Sequence, residues 1–225
     1  MISSRIWGTI GSLAALAAAG ADLALQYTPD PAHLGSLEYS YFLDVSPERI
    51  AVGFYLGVIA ILMQIAGFWQ ITLGLAPAGK RFAISFFVVA SFVTALGAVF
   101  HAHAALLGLV VQARARAAGD AQQAFSSLIA ELVSYRTILV VVLFVGLLLF
   151  SLWYVFVVGW KKTAYPRIAA VFNPLLLFIA FGMIGALIPP LRLVLLPAGI
   201  NLANLLFFAL GTLLARRDGS LAPAG

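Results

Sequence analysis

The sequence predicts an all-α polytopic membrane bundle of about six transmembrane helices with the N- and C-termini both cytoplasmic. Three observations predict it. Of the 225 residues, 63% are hydrophobic and 9% charged, whereas a soluble domain is roughly 45–50% apolar and about 25% charged. A chain of this size has too little interior to hide so much apolar surface, which leaves lipid as its solvent. Six apolar stretches each approach the ~20 residues needed to cross a bilayer, and the basic residues gather on alternate loops.

The spans run roughly Ile6–Tyr27, Ile50–Leu75, Phe82–Val111, Ile138–Val158, Ile168–Ile188 and Leu193–Leu214. No long polar stretch remains, so residues 1–225 read as a single integral membrane domain. Span 1 carries an early Arg5 and a small-residue run at Ala17–Ala21, a pattern shared with cleaved signal peptides. Its apolar character continues through Leu23-Ala24-Leu25, which favours an uncleaved helix. Residues 28–49 form an outer loop, acidic and aromatic, with Pro29, Pro31 and Pro47. Spans 2 and 3 are joined by the tight basic turn Ala76–Arg81. Segment 121–135 places Phe125, Leu128, Ile129, Leu132 and Val133 at helical spacing; it is expected to lie on the outer surface or to extend span 4. Pro189-Pro190 separates the last two spans, because consecutive prolines cannot continue a helix.

Charge sets the orientation. Arg5, Lys80, Arg81, Lys161, Lys162, Arg167, Arg216 and Arg217 fall on one side with Asp218 as the one acid among them. The opposite side mixes Arg49, Arg114, Arg116, Arg136 and Arg192 with Asp30, Glu38, Asp44, Glu48, Asp120 and Glu131. The positive-inside rule puts the first group in the cytoplasm. The net charge of +5 therefore reflects topology and does not point to nucleic acid. The expected partners are membrane lipids and a lipid-like small molecule, and the expected location is a plasma membrane (a bacterial inner membrane), crossed several times.

Chemistry has few places to sit. There are no cysteines, hence no disulfide or thiolate site. Gly-x-Ser-x-Gly, Gly-x-x-x-x-Gly-Lys and Gly-x-Gly-x-x-Gly signatures are missing, and no cofactor is indicated. Ionisable groups inside a span are costly and mark candidate sites. Asp22 lies about sixteen residues into span 1, roughly 24 Å along it at 1.5 Å per residue. His101 and His103 follow late in span 3. Two apart on a helix, they point about 200° from each other, which argues against a shared metal ion; pairing of one with Asp22 fits better than a metal, while the plainest account has one histidine at the interface, the other hydrogen-bonded within the bundle, and Asp22 paired with an outer-face arginine or capping a helix end. Gln26, Glu131, Arg136 and Arg192 complete an expected polar cluster in the outer half, where guanidinium groups could hold an anionic head group. Interfacial snorkelling is the plainer account of both arginines. A second group, Gln64, Asn173, Asn201 and Asn204, is expected in the inner half. Asn201 and Asn204 share a face, and Pro174 frees a carbonyl that an amide could satisfy. Helix–helix hydrogen bonding accounts for these at about 1 kcal/mol or less each. Gly53 and Gly57, Gly8 and Ser12, and Gly182 and Ala186 read as small-residue packing pairs.

Several short motifs occur in order along most of the chain. They are Gly20-Ala21-Asp22, then Ser46-Pro47-Glu48-Arg49-Ile50 leading to Gly53 and Gly57, then Asn173-Pro174, then Pro197-Ala198-Gly199-Ile200-Asn201-Leu202. In these the chain resembles an uncharacterised family of small bacterial multi-helix membrane proteins, defined as a domain of unknown function. The resemblance implies no activity, cofactor or site residue. From the residues themselves, three readings stay open: binding or transport of an amphipathic molecule in the outer half, an embedded enzyme using Asp22 and a histidine as acid and base, and an accessory protein whose packing faces serve a partner.

Overall fold

The computed structural model describes residues 4–29, 33 and 39–215; Asp30, Glu38, Arg216, Arg217 and Asp218, used above for orientation, lie outside them. Six helical passes run antiparallel in chain order. They are α1 (Ser4–Gln26), a second pass broken into α2 (Pro47–Met63) and α3 (Ile65–Leu75), α4 (Lys80–Arg116), α5 (Asp120–Trp160), α6 (Pro174–Leu187) and α7 (Pro189–Leu214). No strand occurs among the described residues. Five of the passes are long and apolar enough to cross a membrane; α6 is the shorter exception.

Local sequence explains where α2 begins and α1 ends. Ser46 caps α2, its hydroxyl accepting from the Arg49 amide at 3.3 Å, with Pro47 in the first turn. Proline suits that position, where its missing N–H costs nothing. Arg49 then reaches back to the end of α1, donating from Nη2 to the Leu23 and Tyr27 carbonyls, both at 3.1 Å. The Tyr27 carbonyl lies past the last helical turn, and the Leu23 carbonyl, which also accepts from the Tyr27 amide at 3.0 Å, offers its second lone pair. The Ser46–Arg49 motif is thus a paired start and stop: it opens α2 and closes α1.

Two expectations are corrected, and one that left two places open, segment 121–135, takes the second, as an extension of span 4. The expected span 168–188 does not form one helix. Arg167–Val171 is a 3-10 turn, and α6 begins only at Pro174 with Asn173 as its cap, Oδ1 accepting from Leu176 N at 3.2 Å. The residue before a proline avoids the α region, so the helix starts there and is not kinked there. Segment 121–135 and span 4 are one 41-residue helix, about 60 Å long at 1.5 Å per residue. Its Ile129 buries against Tyr41, Phe42, Leu107 and Val111, so the apolar stripe clasps the α4–α5 hairpin to the 39–45 turn. Gly182 and Ala186 are exposed, and a Cβ at Gly182 would meet nothing within 4 Å; the close-packed glycine of α6 is Gly185, against Arg192 and Leu195 of α7.

The core is aromatic. Phe68 of α3 stands edge-on to Phe150 of α5 and Phe208 of α7, with centroids at 5.5 and 4.9 Å, a favoured ring geometry. Phe86, Tyr154 and Phe207 extend this cluster. Gly11 and Gly67 bring α1 and α3 to backbone contact, the close approach that small residues permit between membrane helices.

Candidate functional site

Beside the aromatic core is a cavity of about 250 Å³. Five of its lining residues are phenylalanines: Phe68, Phe100, Phe144, Phe150 and Phe178. One wall is polar, formed by Asp22, Gln26, Gln64, Thr94, His101, Asn201 and Asn204. The second pass is broken at Gln64, and α7 carries Pro197 inside the helix. Both residues lie on the cavity wall.

The polar wall is a connected chain of hydrogen bonds. His101 Nε2 meets the Gly53 carbonyl at 2.8 Å and Nδ1 meets Asp22 Oδ1 at 3.2 Å. Asn201 Nδ2 donates to Asp22 Oδ2, Gln64 Nε2 donates to Asn201 Oδ1, and Asn204 Nδ2 donates to Gln64 Oε1, each at 2.7 Å. Asp22, His101, Gln64 and Asn201 are all buried. Asp22 and His101 of one expected polar group and Gln64, Asn201 and Asn204 of the other, placed by the sequence in separate halves of the bundle, are therefore one network. Helices starting at different heights bring Asp22, near the end of α1, beside Asn201, midway along α7.

The chain has a direction, and Asp22 sets it. A carboxylate oxygen can only accept, so Asn201 turns its NH2 toward Asp22 and its carbonyl toward Gln64. Gln64 must then donate, leaving its own carbonyl for Asn204 to donate to. The series ends at Asn204 Oδ1, which is buried without a hydrogen-bond partner in a residue that lines the cavity. The other end fixes a proton. A carbonyl only accepts, so His101 Nε2 carries hydrogen. Nδ1 and Asp22 Oδ1 then need one more proton between them, held on the imidazole or on the carboxyl. In either form the pair is neutral.

The remaining candidates lie elsewhere. Arg136 stacks on Phe100 and Tyr39, at 4.5 and 5.5 Å from the ring centroids, and does not line the cavity. Arg192 and Glu131 are exposed. The expected convergence of Asp22 and His101 with Arg136 and Arg192 is thus corrected: the cavity has no guanidinium to hold an anion. Arg192 sits in the first turn of α7 and Arg136 part-way along α5, both off the cavity, whose interior is left to neutral groups, as the cost of burying a charge dictates. His103, two residues on and about 200° round the helix from His101, is part-buried and does not line the cavity. Asn173 is a helix cap and no part of the network. Among the described residues no group of three or more His, Asp or Glu side chains gathers as metal ligands would.

Sequence reasoning assigned Gly53 and Gly57 to packing alone. Both make the histidine site. Gly53 supplies the acceptor carbonyl, and a Cβ on Gly57 would fall on the imidazole itself. Their spacing put them on one face, but nothing in the sequence said that the face looks at His101. Thr94, Gly97 and the five phenylalanines were likewise invisible as cavity residues, since apolar side chains in a span read as lipid-facing or core alike.

A model of a family of unknown function, DUF6796, matches residues 1–218. The chain belongs to that family. Neither a curated protein nor a solved structure matches it. In this DUF6796 member the motif residues fall into two sets. Ser46–Arg49 and Asn173-Pro174 begin and end helices, whereas Asp22, Gly53, Gly57, Pro197 and Asn201 build the polar wall.

Proposed function

We propose that this protein binds, and by extension transports, a lipid-like or amphipathic small molecule in the cavity between its helices. The observation that carries the reading is the cavity itself: about 250 Å³, walled by phenylalanine and aliphatic side chains except for one hydrogen-bonding face. A pocket that is mainly apolar with a few convergent polar groups is the usual form of a small-molecule site. Transport is supported by Pro197 inside α7 and by the irregular turn at Gln64, both on the cavity wall, as interrupted helices are at many transporter sites. We place the protein in a plasma membrane, a bacterial inner membrane, as a multi-pass chain with both termini in the cytoplasm, on the strength of the basic loops.

The test is native mass spectrometry of the protein released from mild detergent. The wild type retains a defined small molecule. Gly97→Leu fills the cavity from a lining position where a Cβ has only Ile61 Cγ2 nearby, at 3.7 Å, and the variant comes out bare. A bare wild type, or bulk lipid unchanged by Gly97→Leu, refutes the reading and moves the weight to an accessory role.

A second reading, an embedded enzyme with Asp22 and His101 as acid and base, is supported by their 3.2 Å contact on the cavity wall. It requires that the retained molecule be chemically altered on incubation with the protein.

A further inference from the structure

Resting on the binding reading, the polar wall also specifies what kind of molecule it suits. Asn204 Oδ1 is a buried acceptor without a donor, and a buried polar atom left unpaired costs free energy. The orientation of the amide chain makes that vacancy an acceptor and not a donor, because Asp22 at its head can only accept. The walls add phenylalanine faces, which attract cations electrostatically. The cavity lining contains no Lys or Arg. The acceptors, the rings and the single carboxylate all favour a positively charged group bearing N–H.

Charge balance completes the argument. The Asp22–His101 pair holds one proton and is neutral. An ammonium ion entering a neutral, water-poor cavity would leave an uncompensated buried charge, which is prohibitive. Loss of the shared proton to solvent leaves Asp22 as carboxylate beside neutral His101, and the ligand N–H then replaces the lost proton between them. The Gly53 carbonyl of α2 and Asn201 of α7 bond to the pair, and Gln26 of α1 lines the same cavity. Arg49 of α2, one turn beyond, is committed to the Leu23 and Tyr27 carbonyls. Neither α3, α5 nor α6 brings a titratable side chain to the cavity.

We propose that the cavity takes a lipophilic primary or secondary ammonium ion, and that each ion bound releases the one proton shared by Asp22 and His101. One cation enters and one proton leaves, so the site is built for exchange of the two.

The full chain in phosphatidylcholine nanodiscs is titrated calorimetrically with phenylbutylamine, phenylbutanol and phenylbutyrate, empty discs serving as blank, in two buffers of different ionisation enthalpy. The amine binds at least tenfold tighter than the alcohol or the acid and releases one proton. Its affinity rises by about tenfold per pH unit while the pair is protonated. Asp22→Asn abolishes the proton release and the preference for the amine but keeps the alcohol. Asn204→Leu, which leaves the pair intact, weakens the amine about tenfold, as loss of a hydrogen bond to a charged group does, and preserves proton release. Equal binding of alcohol and amine without proton release overturns the ammonium assignment and leaves the cavity's binding role standing. Tighter binding of the acid overturns it likewise. If none of the three binds, the assignment falls, and a copurifying ligand lost in Gly97→Leu keeps the binding reading alone.

Discussion

Gly57→Ala is the sharpest probe of the histidine site. A Cβ at Gly57 would coincide with the Nε2, Cδ2 and Cε1 side of the His101 ring. The ring cannot swing aside freely, because it is held at 2.8 Å by the Gly53 carbonyl and at 3.2 Å by Asp22. Relief of the clash breaks both bonds and strands buried groups, at about 1–3 kcal/mol for each group left unpaired. The expected loss is about 3 kcal/mol, or roughly 6–12 °C in Tm for a chain of this length. Thermal unfolding in detergent, followed by intrinsic fluorescence, reads it. Gly97→Ala is the control: its Cβ meets only Ile61 Cγ2 at 3.7 Å, and the helix gains by as much as about 1 kcal/mol over glycine. The decisive comparison is the double-mutant cycle. On a His101→Ala background the alanine at position 57 has nothing to strike, so its cost should nearly vanish. If Gly57→Ala costs the same with and without the imidazole, the clash argument is wrong.

Other substitutions test other links. Asp22→Asn retains every bond of the network, its NH2 donating to His101 Nδ1 and its carbonyl accepting from Asn201, so its Tm should lie within about 1 kcal/mol of wild type, whereas Asp22→Ala strands Asn201 and His101 and costs roughly 2–4 kcal/mol; equal losses would refute the network. Ser46→Ala and Asn173→Ala each remove a helix cap and should cost about 1 kcal/mol, measured by the same unfolding, with no change in ligand retention. At the 28–45 loop, Asp44 Oδ2 accepts from Thr28 at 2.6 Å and pairs with His33 at 2.8 Å, and the His33 contact, followed by that of Thr28, lowers the Asp44 pKa from its usual 3.8. A lowered carboxyl contributes stability that is present above its unfolded value and lost as pH falls through the folded one. Proteolysis within this loop should therefore quicken only below about pH 4, by a route that Asp44→Asn removes; unchanged acid sensitivity in that variant would count against the latch.

Composition alone determined that this chain is a bundle of about six helices, five of them long and apolar enough to cross a membrane, because each helix satisfies its own backbone in lipid and announces itself by apolar length. Asp22 and His101 were also legible, since a titratable side chain in a span is conspicuous wherever it points. Tertiary structure decided everything that depends on rotation and height. It joined Asp22 to Asn201 and Gln64, which start from different helices at different depths. It sent Arg136 to an aromatic stack and Arg192 to the surface, and it made a cap of Asn173. It turned Gly57 from a packing residue into the floor beneath an imidazole. A span's sequence records which residues it contains. Which of them face one another is set by how neighbouring helices pack, and lipid, being as apolar as the side chains it touches, leaves too weak an amphipathic pattern to reveal that packing in advance.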